Sequence, residues 1–384
     1  MFPFEPAADA ELRTFEDTIR RFVEREIAPL EIDLRRTGAT GLTTEQRAML
    51  QAKAKRSGLW CLATPAEFGG AGLAPTQMVA VIEQAVRHTY SLPDPGDGAF
   101  GYDPPVFLLE ANDEQRATYL LPSVAEGRQW FVAITEPSGG SDPNRSILTT
   151  ARKTAGGWAL NGRKMFISRV ADAQDGVVLA RSEDGGISAF IVPVDSAGLS
   201  YRPVAVIRDH ETYELLLEDV VVPEENLLGE LGEGFALAKK WLARGRLSLA
   251  ARCIGVAQLA LEMSVDYAKE RQTFGKPLSE RQGIQWMLAD SAVELHAARL
   301  IVRDAAATLE RDRTDTVKTS IAKLVATETA FQVVDRAIQV YGGMGLCQEM
   351  PLEHWFRALR VNRVVEGATE VQKHIVARHL FASA

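Results

Sequence analysis

The spacing of apolar residues changes twice along this chain, and this change limits the possible folds more than any other feature of the sequence. Apolar positions recur every three or four residues up to about residue 128, as on one face of a helix. Between about 130 and 231, short strand-like runs are separated by tight turns. The helical spacing returns near residue 234. This order predicts an α+β protein with an N-terminal helical domain, a middle β domain and a C-terminal helical domain, at 1–129, 130–233 and 234–384.

The middle segment is predicted to form an antiparallel β-barrel or sandwich. Two pairs of runs are each joined by a short Gly-containing turn, as in hairpins, at 149–154 with 158–167 and at 177–182 with 187–194. Two further runs follow at 199–207 and 213–222, and no helical pattern separates them. Short strands joined by tight turns are typical of closed or stacked antiparallel sheets.

The C-terminal segment is predicted to form a four-helix bundle. Its helical segments are long and their connections are short, which favours packing of neighbouring helices side by side. The predicted helices lie at about 234–270, 282–312, 315–341 and 368–381.

Composition and charge exclude several classes of protein. Hydrophobic residues make up 46% of the chain, which is enough to build a core and argues against disorder. The chain has 43 Lys and Arg against 51 Asp and Glu, for a formal charge of −8. A mildly acidic chain is a poor general ligand for nucleic acid or anionic membrane. Local basic pockets for a phosphate-bearing small molecule are compatible with this charge.

The three cysteines, Cys61, Cys253 and Cys347, lie far apart and form no CxxC pair. Their odd number argues against a disulfide framework and favours a cytoplasmic location. We find no uncharged apolar run of about 20 residues and no basic segment followed by an apolar one at the N-terminus. We therefore expect neither stable membrane insertion nor a signal peptide.

The common chemical motifs give a negative result. No glycine cluster has the GxGxxG spacing of a dinucleotide crevice or the spacing of a phosphate-binding P-loop. No GxSxG segment marks a hydrolase nucleophile. The six histidines are scattered without paired-ligand spacing, so we expect no metal site.

Two loops remain as candidates for chemistry. The segment ITEPSGGSDP at 134–143 joins the helical and β parts, and its glycines and hydroxyls leave backbone N–H groups for a phosphate or a ring carbonyl. In the segment VVEGATEVQ at 364–372, Glu366 follows two valines, and partial desolvation would raise its pKa toward that of a general base. From the residues alone, an ordinary junction loop and a first-turn glutamate favoured by the helix dipole stay open as alternatives.

Six segments, in this order, resemble the motifs of the acyl-CoA dehydrogenase family, and the resemblance covers nearly the whole chain. Each segment alone is a weak signal, but their common order is specific. The fold implied is that family's own, with helical, β and four-helix parts. The segments are TEPSGGSD at 135–142, NGRKMFIS at 161–168, VPEENLLG at 222–229, YAKERQTFGKPL at 267–278, QVYGGMG at 339–345 and EGATEVQ at 366–372.

The resemblance implies an FAD-dependent α,β-dehydrogenation of an acyl-CoA thioester to the trans-2-enoyl-CoA. By motif match Glu366 is the base that removes the α-proton, while the β-hydrogen leaves as hydride to flavin N5. The backbone N–H of the same glutamate and a ribityl hydroxyl stabilise the charge on the thioester oxygen in this family. Position 245, where some relatives place the base, is Gly245 here, so Glu366 has no rival.

The resemblance also implies the ligand-binding residues. Ile134 and Thr135 match the pyrimidine edge of the flavin, Phe166 the ring face, and Ser168 flavin N5. The expected FAD contacts within one subunit are Ile134, Thr135, Gly140, Ser141, Phe166, Ser168, Ala368 and Glu370, and those from the neighbouring subunit are Arg271, Thr273, Phe274, Gln282, Gln339, Gly342 and Gly343. The expected substrate contacts are Ser141, Arg246, Val365 and Gly367.

Departures from the family pattern bear on the substrate. Phe166 stands where tryptophan is common, Ser168 and Ala368 replace threonines, and Val365 replaces a tyrosine found in many relatives beside the base. The smaller Val365 side chain predicts room for a branched, cyclic or otherwise bulky acyl group. The family also implies electron transfer to an electron-transfer flavoprotein and a homotetramer built as a dimer of dimers. Two alternatives remain open: a carrier-protein-bound acyl substrate in biosynthesis, and a non-catalytic FAD-binding module of the same fold.

Overall fold

The computed structural model describes residues 10–37, 41–92, 94–183, 185–207 and 212–382. The chain divides into two compact units. The first contains Met1–Leu59, Leu73–Phe100 and Ala243–Ala384, and the second contains Trp60–Gly72 and Gly101–Leu242. The α-helices before residue 100 thus belong to the same unit as the C-terminal helices, whereas the α-helices between 101 and 129 belong to the second unit. The three-domain boundaries at 129 and 233 stay a prediction.

The described residues form thirteen α-helices. Their bounds are α1 Ala10–Phe22, α2 Ala28–Thr37, α3 Thr44–Arg56, α4 Pro75–Ala85, α5 Val106–Leu109, α6 Asp113–Gln115, α7 Leu121–Glu126, α8 Pro143–Ser146, α9 Gly234–Glu270, α10 Gln282–Arg311, α11 Val317–Tyr341, α12 Pro351–Asn362 and α13 Thr369–Ala382. The long segments predicted after residue 234 are confirmed. Helix α12 was not predicted, so five helices rather than four follow that residue.

The same residues form ten strands. Their bounds are β1 Trp130–Ala133, β2 Thr150–Thr154, β3 Gly157–Ser168, β4 Asp175–Ser182, β5 Ile187–Pro193, β6 Leu199–Val204, β7 Thr212–Val222, β8 Leu227–Leu228, β9 Gln272–Thr273 and β10 Lys276–Pro277. Both predicted hairpins form, as β2–β3 and β4–β5. Asp184, in the turn of the second hairpin, lies outside the described residues.

Strands β1 to β8 form one sheet in the second unit. Its order is β6-β7-β3-β2-β4-β5-β8, with β1 paired to β4. The pairings β1–β4 and β2–β4 are parallel, whereas the sequence predicted antiparallel pairing throughout. Strands paired in parallel need a long connection, and the segments from β1 or β2 to β4 contain intervening elements that supply it.

The second unit buries both faces of its central strands. Val177 and Leu179 of β4 pack in one core with residues from α5 and α7, such as Phe107 and Val124. Val178 and Ala180 point to the other face and pack with residues of β3, β5 and β7. A strand buried on both faces is a continuous apolar run rather than an alternating one.

Small side chains allow the helices of the first unit to pack closely. The core of α4, α9, α10, α11 and α12 contains many alanines and the fully buried Trp355. At Gly255 of α9, an added Cβ would lie 2.4 Å from Val86 Cγ2 and 2.6 Å from the Glu83 carbonyl oxygen. The absence of a side chain at this glycine is therefore a condition for the packing of α4 against α9.

Helix α9 is long and apolar enough to span a membrane by length and composition, the one such helix in the described part of the chain. Most of its apolar window is buried inside the structure. Core helices of bundles share this pattern, so the window by itself is weak evidence for a membrane span.

Candidate active site

The loop between α12 and α13 presents Glu366 in an unusual backbone conformation. Glu366 has φ +56° and the following Gly367 has φ +91°. A glutamate in the left-handed region costs about 1–3 kcal/mol and persists only where its surroundings hold it. Strain of this kind in a loop that carries an ionisable side chain is a feature of functional sites.

Buried side chains hold this loop through its carbonyl oxygens. The Glu366 carbonyl accepts hydrogen bonds from Arg246 Nε at 3.0 Å and Gln372 Nε2 at 3.1 Å. The Gly367 carbonyl accepts from Gln372 Nε2 at 2.7 Å and Lys323 Nζ at 3.0 Å. All three donors are almost fully buried. Charged and amide donors from α9, α11 and α13 therefore fix the backbone that carries the Glu366 carboxylate.

One oxygen of the Glu366 carboxylate, Oε2, is buried without a hydrogen-bond partner among the described residues. Burial raises the pKa of Glu366, and the charges of Arg246, Arg252 and Lys323 offset part of that rise. A carboxyl group with a raised pKa and an unused oxygen is suited to accept a proton from a bound molecule.

Gly245 of α9 provides the space for this carboxylate. A Cβ at Gly245 would lie 2.9 Å from Glu366 Oε2 and 3.1 Å from Glu366 Cδ. The sequence identified Gly245 only as the absence of a second base. The structure shows that its missing side chain leaves room for the Glu366 carboxylate.

The structure brings together three of the four predicted substrate residues. Arg246, Val365 and Gly367 lie at or next to Glu366 in the first unit, whereas Ser141 belongs to the second unit. The Arg246 guanidinium is buried and also donates to Ser320 Oγ at 3.3 Å. Its observed contacts are thus with the glutamate loop and α11, and its contact with substrate stays a prediction.

In the second unit, a buried ion pair holds the loop that follows β1. Lys164 of β3 is fully buried, and its Nζ contacts Glu136 Oε1 at 2.8 Å and the Ile134 carbonyl at 3.2 Å. Burial lowers the pKa of Lys164 to about 8, although the Glu136 carboxylate opposes this change. Glu136 also accepts hydrogen bonds from the backbone N–H groups of Leu148 at 2.7 Å and Thr149 at 3.0 Å. Lys164 therefore holds Ile134 and Glu136, the residues on both sides of Thr135, in place.

These hydrogen bonds from Lys164 hold Thr135 beside the exposed aromatic ring of Phe166. The Thr135 carbonyl accepts a hydrogen bond from Met165 N–H at 2.9 Å. The next residue, Phe166, has φ +59° in an irregular stretch of the β3–β7 pairing, and 55% of the residue is exposed. A Cβ on Gly140 would lie 3.0 Å from Thr135 Cγ2. One surface site thus contains Thr135, Gly140 and Phe166, and the Phe166 ring is accessible there to a ligand.

Two of the other predicted FAD contacts of this unit, Ser168 and Ser141, are accessible. Ser168 lies half-buried at the end of β3, and Ser141 is exposed just before α8. Ile134 is mostly buried and its carbonyl accepts a hydrogen bond from Lys164, so its contact with FAD stays a prediction.

A second group of predicted FAD contacts lies at one end of the helices in the first unit. Tyr267 of α9 stacks on Tyr341 of α11 with ring centroids 4.1 Å apart. This contact ties the end of α9 to the end of α11. Arg281 donates a hydrogen bond to the Thr273 carbonyl and so ties the β9–β10 hairpin to the start of α10. The structure therefore groups the predicted residues Arg271, Thr273, Phe274, Gln282, Gln339, Gly342 and Gly343, most of which are exposed.

Phe274 is 97% exposed at the tip of its hairpin. Ala368 and Glu370 lie next to Glu366 at the start of α13, half-buried and exposed respectively. The contact of any of these residues with a neighbouring subunit stays a prediction.

Sequence reasoning missed several residues that shape the site. Lys164 and Gln372 lie inside recognised motifs, but no role was assigned to them. Lys323 gave no local signal, because a lysine on a helix is usually solvated. The burial of these residues, and hence their role, becomes visible only in the tertiary structure.

Three family models match consecutive parts of the chain. They describe the acyl-CoA dehydrogenase N-terminal domain at residues 9–128, the middle domain at 132–220 and the C-terminal domain at 232–381. Together they cover most of the chain.

Similar proteins are spread over mitochondrial and bacterial enzymes. The short-chain specific acyl-CoA dehydrogenase of Sus scrofa mitochondria is 35% identical over 378 residues, covering 95% of this chain and 89% of that protein. The caffeyl-CoA reductase-Etf complex subunit CarC of Acetobacterium woodii is 35% identical over 340 residues, covering 85% and 87%. The crystal structure of a Bacillus anthracis acyl-CoA dehydrogenase complexed with FAD has a TM-score of 0.85 and 29% identity, covering 98% of this chain and 67% of that one.

The residues present fit FAD. Phe166 presents an exposed ring, the Gly140 backbone lies against the Thr135 side chain, and Ser168 and Ser141 add accessible hydroxyls. These are the features that a planar ring with polar edges and a pyrophosphate require. The three matching domains, the relatives, the shared fold and this fit agree. The chain belongs to the acyl-CoA dehydrogenase family and is an FAD-dependent oxidoreductase with the family's α–β–α fold.

Proposed function

We propose that this enzyme oxidises an acyl-CoA thioester to the trans-2-enoyl-CoA, with Glu366 as the base that removes the α-proton. The observation that carries the proposal is the buried Oε2 of Glu366, which has no hydrogen-bond partner in the described part of the chain. In the step, the α-carbon–hydrogen bond breaks and the proton moves to the Glu366 carboxylate. FAD, when bound, supplies the acceptor for the β-hydrogen and its electron pair.

The backbone N–H of Glu366 is a candidate donor to the thioester oxygen. No described residue accepts a hydrogen bond from this N–H, whereas the carbonyl of the same residue is held by Arg246 and Gln372. A fixed peptide with a free N–H can stabilise charge that develops on an oxygen in the transition state. The buried donors that hold the loop would thereby serve both the base and this N–H.

For the substrate we propose a branched, cyclic or otherwise bulky acyl group. Val365 replaces a larger side chain next to the base, and Gly245 adds no side chain opposite the Glu366 carboxylate. One relative is named for caffeyl-CoA, whose acyl group is aromatic and bulky, and this name supports the proposal. Another is named as short-chain specific, which points to a smaller acyl group, so a substrate panel decides between the two.

We propose an electron-transfer flavoprotein as the electron acceptor and a homotetramer as the assembly. The name of the Acetobacterium woodii relative includes an Etf complex. The assembly is supported by an exposed apolar stripe on α10, formed by Trp286, Val293 and Leu300 at intervals of seven residues. Such a stripe is typical of a helix face that packs against another chain.

We also propose a cytoplasmic location, which the three free thiols of Cys61, Cys253 and Cys347 support.

An anaerobic titration tests the proposed reaction. The FAD-loaded enzyme is mixed with straight, branched, cyclic and aromatic acyl-CoA thioesters, and with one carrier-protein thioester, while the flavin absorbance is recorded. We expect rapid bleaching by an acyl-CoA and the fastest bleaching by a bulky one. Best activity on straight medium chains would refute the substrate proposal, and bleaching by the carrier-protein thioester alone would favour a biosynthetic role. No bleaching by any thioester would favour a non-catalytic module.

The variant Glu366→Gln separates the base from general damage. It should retain bound FAD but lose reduction by the best substrate. The matched control is Glu349→Gln, which alters an exposed carboxylate in the same unit. The control should bleach at the wild-type rate.

A further inference from the structure

We propose that Lys323 is a positioning residue for the dehydrogenation. It holds the backbone of the Glu366 loop, and its positive charge favours the ionised form of the Glu366 carboxylate. The second half of this inference rests on the proposed role of Glu366 as the base. The first half rests on geometry alone.

The Lys323 ammonium reaches the loop on both sides of Glu366. Lys323 is fully buried on α11, and its Nζ donates to the Arg363 carbonyl at 3.2 Å and to the Gly367 carbonyl at 3.0 Å. These carbonyls precede and follow Glu366 in the chain. One side chain therefore links the C-terminal end of α12 to the turn that starts α13.

The charge of Lys323 has no ion-pair partner. No carboxylate of the described residues lies within ion-pairing distance of its Nζ. The nearby Glu328 instead pairs with Arg363 at 2.7 Å. Of the two glutamates near Lys323, Glu328 is thus ion-paired, whereas Glu366 Oε2 has no hydrogen-bond partner among the described residues.

Charged and titratable groups on α9, on α11 and after α12 lie around Lys323 and Glu366. Helix α9 contributes Arg246, Arg252 and the thiol of Cys253, α11 contributes Glu328, and Arg363 follows α12. Burial lowers the pKa of Lys323 to about 8, while the Cys253 thiol and then the negative charge of Glu366 oppose that change. The two groups therefore favour each other's charged forms, because each lowers the cost of burying the other.

A purely structural role would not need this charge. Burying an unpaired ammonium is costly, and a neutral amide could donate to the same two carbonyls. The charge matters if Glu366 must be ionised before it accepts a proton. When the proton arrives, the Glu366 carboxylate becomes neutral and its support for the Lys323 ammonium falls, so the two protonation equilibria are linked.

The experiment compares four variants of the full-length enzyme with the wild type. Lys323→Gln and Lys323→Met remove the charge, and only the first keeps a donor for the carbonyls. Lys323→Arg keeps the charge, and Lys318→Gln is the matched control on the same helix, where an exposed lysine pairs with Asp304. The first readout is an infrared pH titration of the carboxyl C=O band that disappears in Glu366→Gln. The second is the pH dependence of flavin reduction by substrate.

We expect Lys323→Gln and Lys323→Met to shift the Glu366 midpoint upward by about one pH unit, which lowers reduction about tenfold on the acid side of the profile. Lys323→Arg and Lys318→Gln should leave the midpoint unchanged. An unchanged midpoint in Lys323→Gln would overturn the proposal. Because the infrared midpoint does not depend on catalysis, a shifted band with unaffected reduction in Glu366→Gln would refute the base assignment alone.

Lys323→Arg keeps the proposal testable if the neutral variants do not fold. At pH 7 both side chains are charged, so the Glu366 midpoint and the rate of flavin reduction in Lys323→Arg should match those of the wild type. A midpoint in Lys323→Arg that is displaced upward by about one pH unit would overturn the proposal.

Discussion

The backbone of Gly245 faces the carboxylate of Glu366 so closely that a single methyl group at Gly245 would lie 2.9 Å from Oε2. The contact joins α9 to the loop before α13, within one compact unit. The atoms that would have to move belong to the flexible end of a side chain rather than to the backbone. A substitution here should therefore move the base and leave the fold in place.

Gly245→Ala should retain FAD and nearly wild-type stability, but flavin reduction should slow by about ten- to a hundredfold, because a misplaced base loses its alignment. Gly255→Ala, on the same helix, is the informative comparison. Its Cβ would clash with Val86 and with the Glu83 backbone, so it should cost stability first. Rapid-reaction spectroscopy and thermal unfolding separate the two outcomes. Equal kinetic effects in both variants would argue against a specific Gly245–Glu366 relationship.

Lys164→Met should destabilise the protein by about 3–5 kcal/mol, because it leaves the Glu136 carboxylate buried without its partner. It should also weaken FAD binding, since the hydrogen bonds of Lys164 to Ile134 and Glu136, which hold Thr135 in place, are lost. Adding Glu136→Gln to this variant should restore part of the stability. Lys153→Met, which breaks the exposed pair with Glu224, should cost less than 1 kcal/mol. Denaturant titrations and cofactor dissociation constants check each value.

Phe166→Gly and Phe166→Ala should both bind FAD more weakly, because both remove the exposed ring. The two variants should differ in stability when the cofactor is removed. Alanine keeps the unfavourable left-handed conformation at φ +59°, whereas glycine adopts it readily, so Phe166→Gly should be about 1 kcal/mol more stable than Phe166→Ala. Equal stabilities would mean that the backbone at this position carries no strain.

The free energy of unfolding should rise between about pH 8 and 9. Lys164 and Lys323 have pKa values near 8 in the folded protein, and their ordinary value is 10.5. Between these values the unfolded chain binds more protons than the folded one, so stability increases with pH, by at most about 1.4 kcal/mol per pH unit for each lysine. Above pH 9 the gain should diminish, because burial raises the pKa of the Cys253 thiol to about 11 and this works in the opposite direction.

Urea unfolding at a series of pH values measures this slope. Lys323→Arg should lower it, since the guanidinium stays charged throughout the range. A wild-type stability that is flat or falls between pH 8 and 9 would contradict the assignment of both lysines.

The sequence predicted the long helices, whose apolar residues recur with a clear period. It missed a short helix that lies between segments rich in turn-forming residues. Helices α9, α10 and α11 have long apolar stripes, and their existence is confirmed. Helix α12 was missed although Leu352, Trp355 and Leu359 follow the helical period and are fully buried. Its length of 12 residues, between a glycine-rich segment and the Glu366 loop, hid it among turn signals.

The site divides in the same way. Motif resemblance identified Glu366 and the residues around Thr135 and Phe166, because those residue types are tied to the chemistry. It could not identify Lys164, Lys323 or the spatial role of Gly245. Their significance depends on burial and on contacts between residues distant in sequence, which no local pattern encodes.

The most direct test of the central claim is α-proton exchange in D₂O with phenylacetyl-CoA, a thioester that has α-hydrogens but no β-hydrogen. The FAD-loaded wild-type enzyme should exchange the α-hydrogens for deuterium without flavin reduction, as followed by mass spectrometry. If Glu366 is the base, Glu366→Gln should exchange at least about a hundredfold more slowly, within the range that general bases contribute. Exchange at the wild-type rate in Glu366→Gln would contradict the account.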